Sequence, residues 1–181
     1  IMNCPRWCAV LAERELATAV KEYEERLFCS EVLEPDLLYG VSDKLQLAVE
    51  EACADQKKSF LAVLTSCSLS LIGDDIQGVC KSITANCPVI ALDAGGLSGE
   101  YWQGWSNALT ALLSDMKLQQ TMPEAATVNI IGCSTCYPNW EGDMLELYRM
   151  LNSIGIKVNL CLLTNGTQLQ ELQKIGQAAL N

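Results

Sequence analysis

The stretch "TSCSLSLIGDD", residues 65–75, decides how the chain is read. A continuous apolar run, "FLAVL" (60–64), enters a short polar segment that holds one cysteine, Cys67. Gly73-Asp74-Asp75 then opens an amphipathic run with Ile76, Val79, Cys80 and Ile83 on one face. An unbroken apolar run of this length predicts a strand buried on both faces, as in a parallel sheet. Aspartate at the head of an amphipathic run predicts a helix start, because its carboxylate accepts from the orphan N–H groups of the first turn and suits the positive end of the helix dipole. The stretch therefore reads as strand, loop, helix, with Cys67 in the loop at the carboxyl end of the strand. Open α/β sheets bind their ligands at that edge.

Working outward, the same alternation recurs. Upstream, residues 9–27 read as a helix with Leu16, Val20, Tyr23 and Leu27 on one face, and "LFCSEV" (27–32) reads as a short strand. Glu34-Pro35-Asp36 punctuates it. Gly40 closes that loop, and Ser42 or Asp43 caps a helix with Leu45, Val49, Ala52 and Cys53 inward. Downstream, Cys87-Pro88 leads into the strand "VIALD", the glycine loop "AGGLSG", and a helix carrying Trp105, Leu109, Leu112, Leu113 and Met116. "LQQTMPEAA" (118–126) reads as a linker. The pattern then restarts with strand "TVNIIG" (127–132), helix 142–154 stopped by Gly155, and strand "IKVNLCLL" (156–163). A loop "TNG" and a capping box on Thr167 and Gln170 open a last helix. Alternating strands and helices predict an α/β protein with Rossmann-like parallel sheets flanked by helices. Residues 1–120 read as a first domain and 121–181 as the first β-α-β-α part of a second.

The 181 residues carry 12 Lys and Arg against 22 Asp and Glu, a net charge of −10 and a pI near 4.4. An acidic surface argues against nucleic acid and anionic membrane as partners. No apolar stretch is long enough to span a bilayer, and "IMNCPRWC" lacks the apolar segment of a signal peptide. Ten cysteines and no histidine are the main compositional facts. Half the residues are apolar, so a core forms without a disulfide framework, and the thiols are expected to be reduced in a cytoplasmic compartment. Without histidine, Ser-His and Cys-His catalysis and mixed Cys/His zinc sites are excluded within this chain. Iron–sulfur ligation, all-thiolate metal binding, redox exchange and plain packing remain.

Cys53, Cys80, Cys87 and Cys161 fall at core or strand-start positions, where cysteine acts as a small hydrophobe. Three others follow predicted strands: Cys67, Cys133 and Cys136. Cys133-x-x-Cys136 offers two ligands with no second pair at matching spacing, so a loop with two incidental thiols stands beside the metal reading. Cys4-x-x-x-Cys8 has the same status. "DAGGLSG" lacks the spacing of a dinucleotide or phosphate loop. Asp74 and Asp75 read either as a metal pair or as residues of the helix start.

"TSCSLSLIGDDIQGVC" resembles the signature of nitrogenase component 1 subunits, a cysteine followed after four residues by I-G-D-D. "EPDLLYGVSDKLQLAVEEA" resembles the segment before it, "PVIALDAGGLSGEYWQGWSNALTALL" the segment after it, and "VNIIG…GDMLELYRMLNSIGIKVN" the first unit of the family's second domain. The resemblance implies paired related subunits with an iron–sulfur cluster between them on cysteines from both. Cys67 matches the cysteine before I-G-D-D. Cys8 resembles the earlier family cysteine after a strand and a glycine turn, here replaced by Pro5-Arg6-Trp7. Cys4 is the one candidate for a third ligand, although its spacing from Cys8 is short. Cys133 and Cys136 occupy a loop that faces the cofactor cavity in the family. The family's cofactor-ligating cysteine would lie downstream of "AALN", and its histidines are absent here, so a fragment or a divergent member is expected.

Two functions follow from the resemblance. One is an oxidoreductase subunit that accepts electrons from an ATP-dependent iron–sulfur reductase and passes them to a reducible substrate, with a second metallocluster or tetrapyrrole in the full-length protein. The other is a non-enzymatic scaffold on which a metallocluster is built. A cysteine-rich α/β domain that binds no metal is the third reading, independent of the family. A reducing, anaerobic cytoplasm suits the first two.

Overall fold

A computed structural model describes residues 1–19, 26–54, 60–114, 116, 118, 122–162, 164 and 167–180. The chain divides into two compact units, Ile1–Leu112 and Leu113–Asn181.

The first unit holds a three-stranded parallel sheet in the order β1 (Met2–Asn3), β2 (Leu61–Thr65), β3 (Val89–Asp93). Met2 pairs with Leu64 and Asn3 with Thr65, and β2 pairs along its length with β3, from Leu61 opposite Val89 to Thr65 opposite Asp93. The apolar run 60–64 thus supplies the central strand, but only one of its faces is buried: Leu61, Val63 and Thr65 are buried, while Ala62 and Leu64 between them are half-buried, so the expected burial of both faces is not met. Helix α1 spans Arg6–Ala19, α2 Glu34–Tyr39 and α3 Ser42–Cys53. In α3, Leu45, Ala48, Val49 and Ala52 recur at the i, i+3, i+4, i+7 spacing of one helix face and are all buried. They pack with Leu61 and Val63 of β2 into a single core that also takes Ile76 and Cys80 from α5 (Ile76–Ser82). Helix α6, Tyr101–Ser114, follows β3.

Several elements differ from the sequence expectation. Cys67 does not lie in a loop: it is the first residue of a short helix, α4 (Cys67–Ile72). Ser66 leads in with extended backbone, and Leu69, 1% exposed, anchors the turn in the core. That one buried leucine was too short a pattern to read as a helical period. Glu34-Pro35-Asp36 begins a helix rather than ending a strand. Proline suits the first turn of a helix, where its missing N–H is not needed, and Leu33 N–H donates to the Asp36 carboxylate at 2.7 Å. The strand expected over 27–32 is reduced to one bridge, Met2 to Cys29. The helix expected over 9–27 starts earlier, at Arg6, and its residues Val20 and Tyr23 lie outside the described residues.

The second unit holds a parallel sheet in the order β5-β4-β6: β4 Glu124–Ile130, β5 Lys157–Cys161 and β6 Ala178–Leu180. Helix α7, Trp140–Ser153, connects β4 to β5. The expected linker over 118–126 is strand from Glu124 onward, and residues 119–121 lie outside the described residues. The last helix is a 3-10 helix, Leu169–Gln177. Its start falls one residue later than the expected box: Gln168 N–H donates to the Glu171 carboxylate at 3.0 Å. Within this unit the polar residues bind strand to strand. Asn159 donates to the Asn129 side-chain oxygen at 2.7 Å, and Asn129 donates to the Ile175 carbonyl at 2.7 Å. The register of β4 shifts between Val128 and Asn129, where this network sits.

Among the described residues, no helix is long and apolar enough to cross a membrane.

Candidate functional site

All three strands of the first sheet run the same way, so their carboxyl ends share one edge. The edge is stitched by backbone bonds: Ser66 N–H donates to the Asn3 carbonyl and Ala94 N–H to the Thr65 carbonyl, both at 3.2 Å. Cys4 and Cys8 follow β1, Cys67 follows β2, and Gly95-Gly96 follows β3.

Cys67 is half-buried, and its sulfur accepts the Gly96 N–H at 3.0 Å. Gly95 makes this approach possible. A Cβ placed there would stand 2.9 Å from Ser70 Oγ, closer than side chains allow, and 3.2 Å from Cys67 Cα, tighter than most such contacts. Asp93 fastens the loop. Its Oδ1 accepts from Ser70 Oγ at 2.7 Å and Gly95 N–H at 3.1 Å, and its Oδ2 accepts from Ser98 Oγ at 2.6 Å. The hydrogen bonds from Ser98 and Ser70 hold this carboxyl below its ordinary value. Beside the loop opens a cleft of about 320 Å³, lined by Leu64, Leu92, Asp93, Gly96, Tyr101 and Trp105 among others.

The two other candidates of the first unit behave differently. Cys4 is fully buried, and its thiol is pushed up to about 12, first by burial and then by the Cys29 thiol beside it. At neutral pH it stays protonated. Cys29 Sγ donates to the Cys4 carbonyl at 3.6 Å. Cys8 is exposed in the first turn of α1. Trp7, Val10 and Leu11, spaced i, i+3, i+4 on the same helix, are exposed beside it, Trp7 by 79%.

The signature carboxylates serve the fold. Asp74 accepts the Val41 N–H at 2.8 Å and so ties the start of α3 to the turn after α4. Asp75 caps α5 by accepting the Gly78 N–H at 2.8 Å. Gly73 ends α4 in the left-handed region, φ +75°, which a residue with a Cβ adopts at a cost.

In the second unit, Cys133 follows β4 and is half-buried next to Cys161, whereas Cys136 is exposed. Cys161 is pushed up to about 11, mainly by burial and then by Cys133, and its sulfur lies 3.9 Å from Met144 Sδ. The C-x-x-C spacing singled out Cys136, but the thiol next to Cys133 comes from β5. The pairing of Ile130 with Cys161 across the sheet produces this, and a strand register is not readable from spacing. Cys29, Asp93 and Gly95 were likewise missed. "DAGG" stands out in the sequence as a glycine loop after a strand, but the bond from Gly96 to Cys67 joins segments 29 positions apart, which no local pattern displays.

An iron–sulfur cluster needs accessible thiols and an environment able to carry thiolate charge. Cys67 meets both conditions through its exposure and the Gly96 N–H, and Cys8 meets the first. Among the described residues no three Cys, Asp or Glu side chains converge on one metal position. Cys67 and Cys8 are thus the accessible thiols that follow β2 and β1, and two thiols are fewer than a cluster takes.

The arrangement is that of an α/β protein with thiols at the carboxyl edge of a parallel sheet. The family described as nitrogenase component 1 type oxidoreductase matches residues 1–181, and the chain belongs to it. The nitrogenase iron-molybdenum cofactor biosynthesis protein NifE of Clostridium pasteurianum is 26% identical over 163 residues, covering 89% of this chain and 35% of its own. NifE of Nostoc sp. is 31% identical over 159 residues, 85% of this chain and 32% of its own. The nitrogenase molybdenum-iron protein alpha chain of Clostridium pasteurianum is 28% identical over 163 residues, 88% and 30%. A solved structure of nitrogenase Cp1 at pH 5 matches with a TM-score of 0.76 at 25% identity, over 99% of this chain and 38% of that one. The chain thus spans about a third of the length of the curated relatives it matches.

Proposed function

We propose that this chain is part of a nitrogenase-type oxidoreductase subunit in which Cys67 and Cys8 contribute ligands to an iron–sulfur cluster shared with a related subunit. The observation that carries the reading is the Cys67 thiol, half-buried at the carboxyl edge of a parallel sheet with the Gly96 N–H 3.0 Å from its sulfur. Donors to a ligating sulfur offset its charge and tune the cluster it holds. Such a cluster supplies one-electron transfer when bound. The chain's own residues do the rest: Gly95 admits the loop, Asp93 fastens it through Ser70 and Ser98, and the apolar Trp7, Val10 and Leu11 offer a surface for the related subunit. Cys4 is left out, because it is fully buried, with no access for a cluster shared at a subunit surface.

In this reading the electrons arrive from an ATP-dependent iron–sulfur reductase and leave to a reducible substrate. Residues 1–120 form one domain and 121–181 part of a second, whose exposed Cys136 and half-buried Cys133 would reach a second metallocluster or tetrapyrrole. The setting is a reducing, anaerobic cytoplasm, where thiols able to ligate iron persist.

A second reading is favoured by the relatives, several of which are described as cofactor biosynthesis proteins. There the same thiols would hold a cluster during assembly, without turnover. Anaerobic reconstitution with iron and sulfide tests what the two share. Wild type is expected to take up both and gain visible absorption, and Cys67→Ala is expected to lose them. Full iron content in Cys67→Ala would end the assignment of Cys67. Substrate turnover fed by a reductase supports the oxidoreductase; transfer of the cluster to an acceptor protein without turnover supports the scaffold.

A further inference from the structure

Cys53 and Cys87 lie away from the site just described. Cys53 is the last residue of α3 and Cys87 stands before Pro88 at the entry to β3. Their sulfurs are 3.6 Å apart, in contact without a bond. A disulfide needs about 2.05 Å, so closure asks for about 1.5 Å of approach. Both residues sit at the ends of elements, where a rotamer change and a small backbone shift provide this without breaking a ladder or a helical turn. Cys53 is 5% exposed, while Cys87 is only partly buried and so is the thiol a reagent reaches first.

We propose that Cys53 and Cys87 form a reversible disulfide by exchange with a small-molecule disulfide. The Cys87 thiolate attacks one sulfur of the reagent, forming a mixed disulfide and releasing the first small thiol. The Cys53 thiolate then attacks the Cys87 sulfur, forming the protein disulfide and releasing the second small thiol. The two protein thiols are oxidised by two electrons, the reagent disulfide is reduced to two thiols, and the two protons end on them. The bond closes a loop that contains β2, α4 and α5, and with them Cys67 and the Asp74 and Asp75 turn. A cross-link of this kind restricts the unfolded chain, so the oxidised form is the more stable. Oxidation would therefore hold the edge that carries Cys67 in its folded form.

The test is incubation of the protein with glutathione disulfide, alkylation of remaining thiols, digestion and peptide mapping by mass. A linked Cys53–Cys87 peptide pair, lighter by two hydrogens and separated again by dithiothreitol, is expected, with a raised thermal midpoint before reduction. Cys87→Ser is expected to lose both the linked pair and the rise. Recovery of Cys53 and Cys87 as alkylated peptides, while exposed Cys8 and Cys136 carry glutathione, overturns the proposal. The wild-type map stands alone should the variant fold poorly.

Discussion

At the scale of single residues, the edge of the first sheet depends on side chains too small or too short to attract notice in a sequence. Gly95 is the sharpest case. Gly95→Ala forces a methyl group against Ser70 Oγ and the Cys67 backbone, and overpacking of this kind costs about 1–3 kcal/mol. Urea unfolding is expected to show that loss, and iron uptake at Cys67 is expected to weaken with it. Asp93 makes a pH prediction. Its folded-state value lies below the ordinary 3.8, so its hydrogen bonds add stability that is present well above that value. This stability is lost as the pH falls through the folded-state value. Asp93→Asn should therefore destabilise the protein at neutral pH and converge with wild type in acid; a gap that stays constant with pH would deny the ionised carboxylate its role. Cys67 itself was legible, because a lone thiol after a buried strand is conspicuous. Cys29 was not, since its relation to Cys4 arises from one bridge between distant segments.

At the scale of elements, what the sequence revealed was periodicity. Helix α3 has three turns of consistent spacing, and its buried face matches the expected Leu45, Val49, Ala52 and Cys53. Leu45→Ala, at a fully buried position, is expected to cost about 2–5 kcal/mol in chemical denaturation. The elements lost were short ones outside any apolar run: α2, α4, β1 and β6 each hold too few residues to establish a period, whereas the five-residue β2, β3 and β5 stand within longer apolar runs. The second sheet adds a different obstacle. Its alignment rests on Asn129 and Asn159, whose amides bond across β4, β5 and the 3-10 helix, and a polar residue inside a strand carries no apolar signal. Asn129→Ala removes an acceptor for Asn159 and a donor to Ile175. A loss of about 1–3 kcal/mol is expected from partners left unsatisfied, with slower-exchanging amides of β4 becoming fast in hydrogen exchange.

At the scale of the molecule, each unit has its own sheet and its own buried residues. Calorimetry is expected to show two transitions, with Leu45→Ala lowering one and Leu172→Ala, also buried, lowering the other. One transition shifted by both would mean that the units unfold together. The order β1-β2-β3 has a further consequence, and it concerns time. Met2 pairs with Leu64, 62 positions later (64 − 2). At about 5–20 residues per second on the ribosome, that interval lasts roughly 3–12 s. Hairpins and helices form in microseconds, so the pace of translation, not diffusion, sets when this sheet can begin. Through those seconds β1 waits with its edge unpaired, and a cell making this protein holds half a sheet before it has a fold.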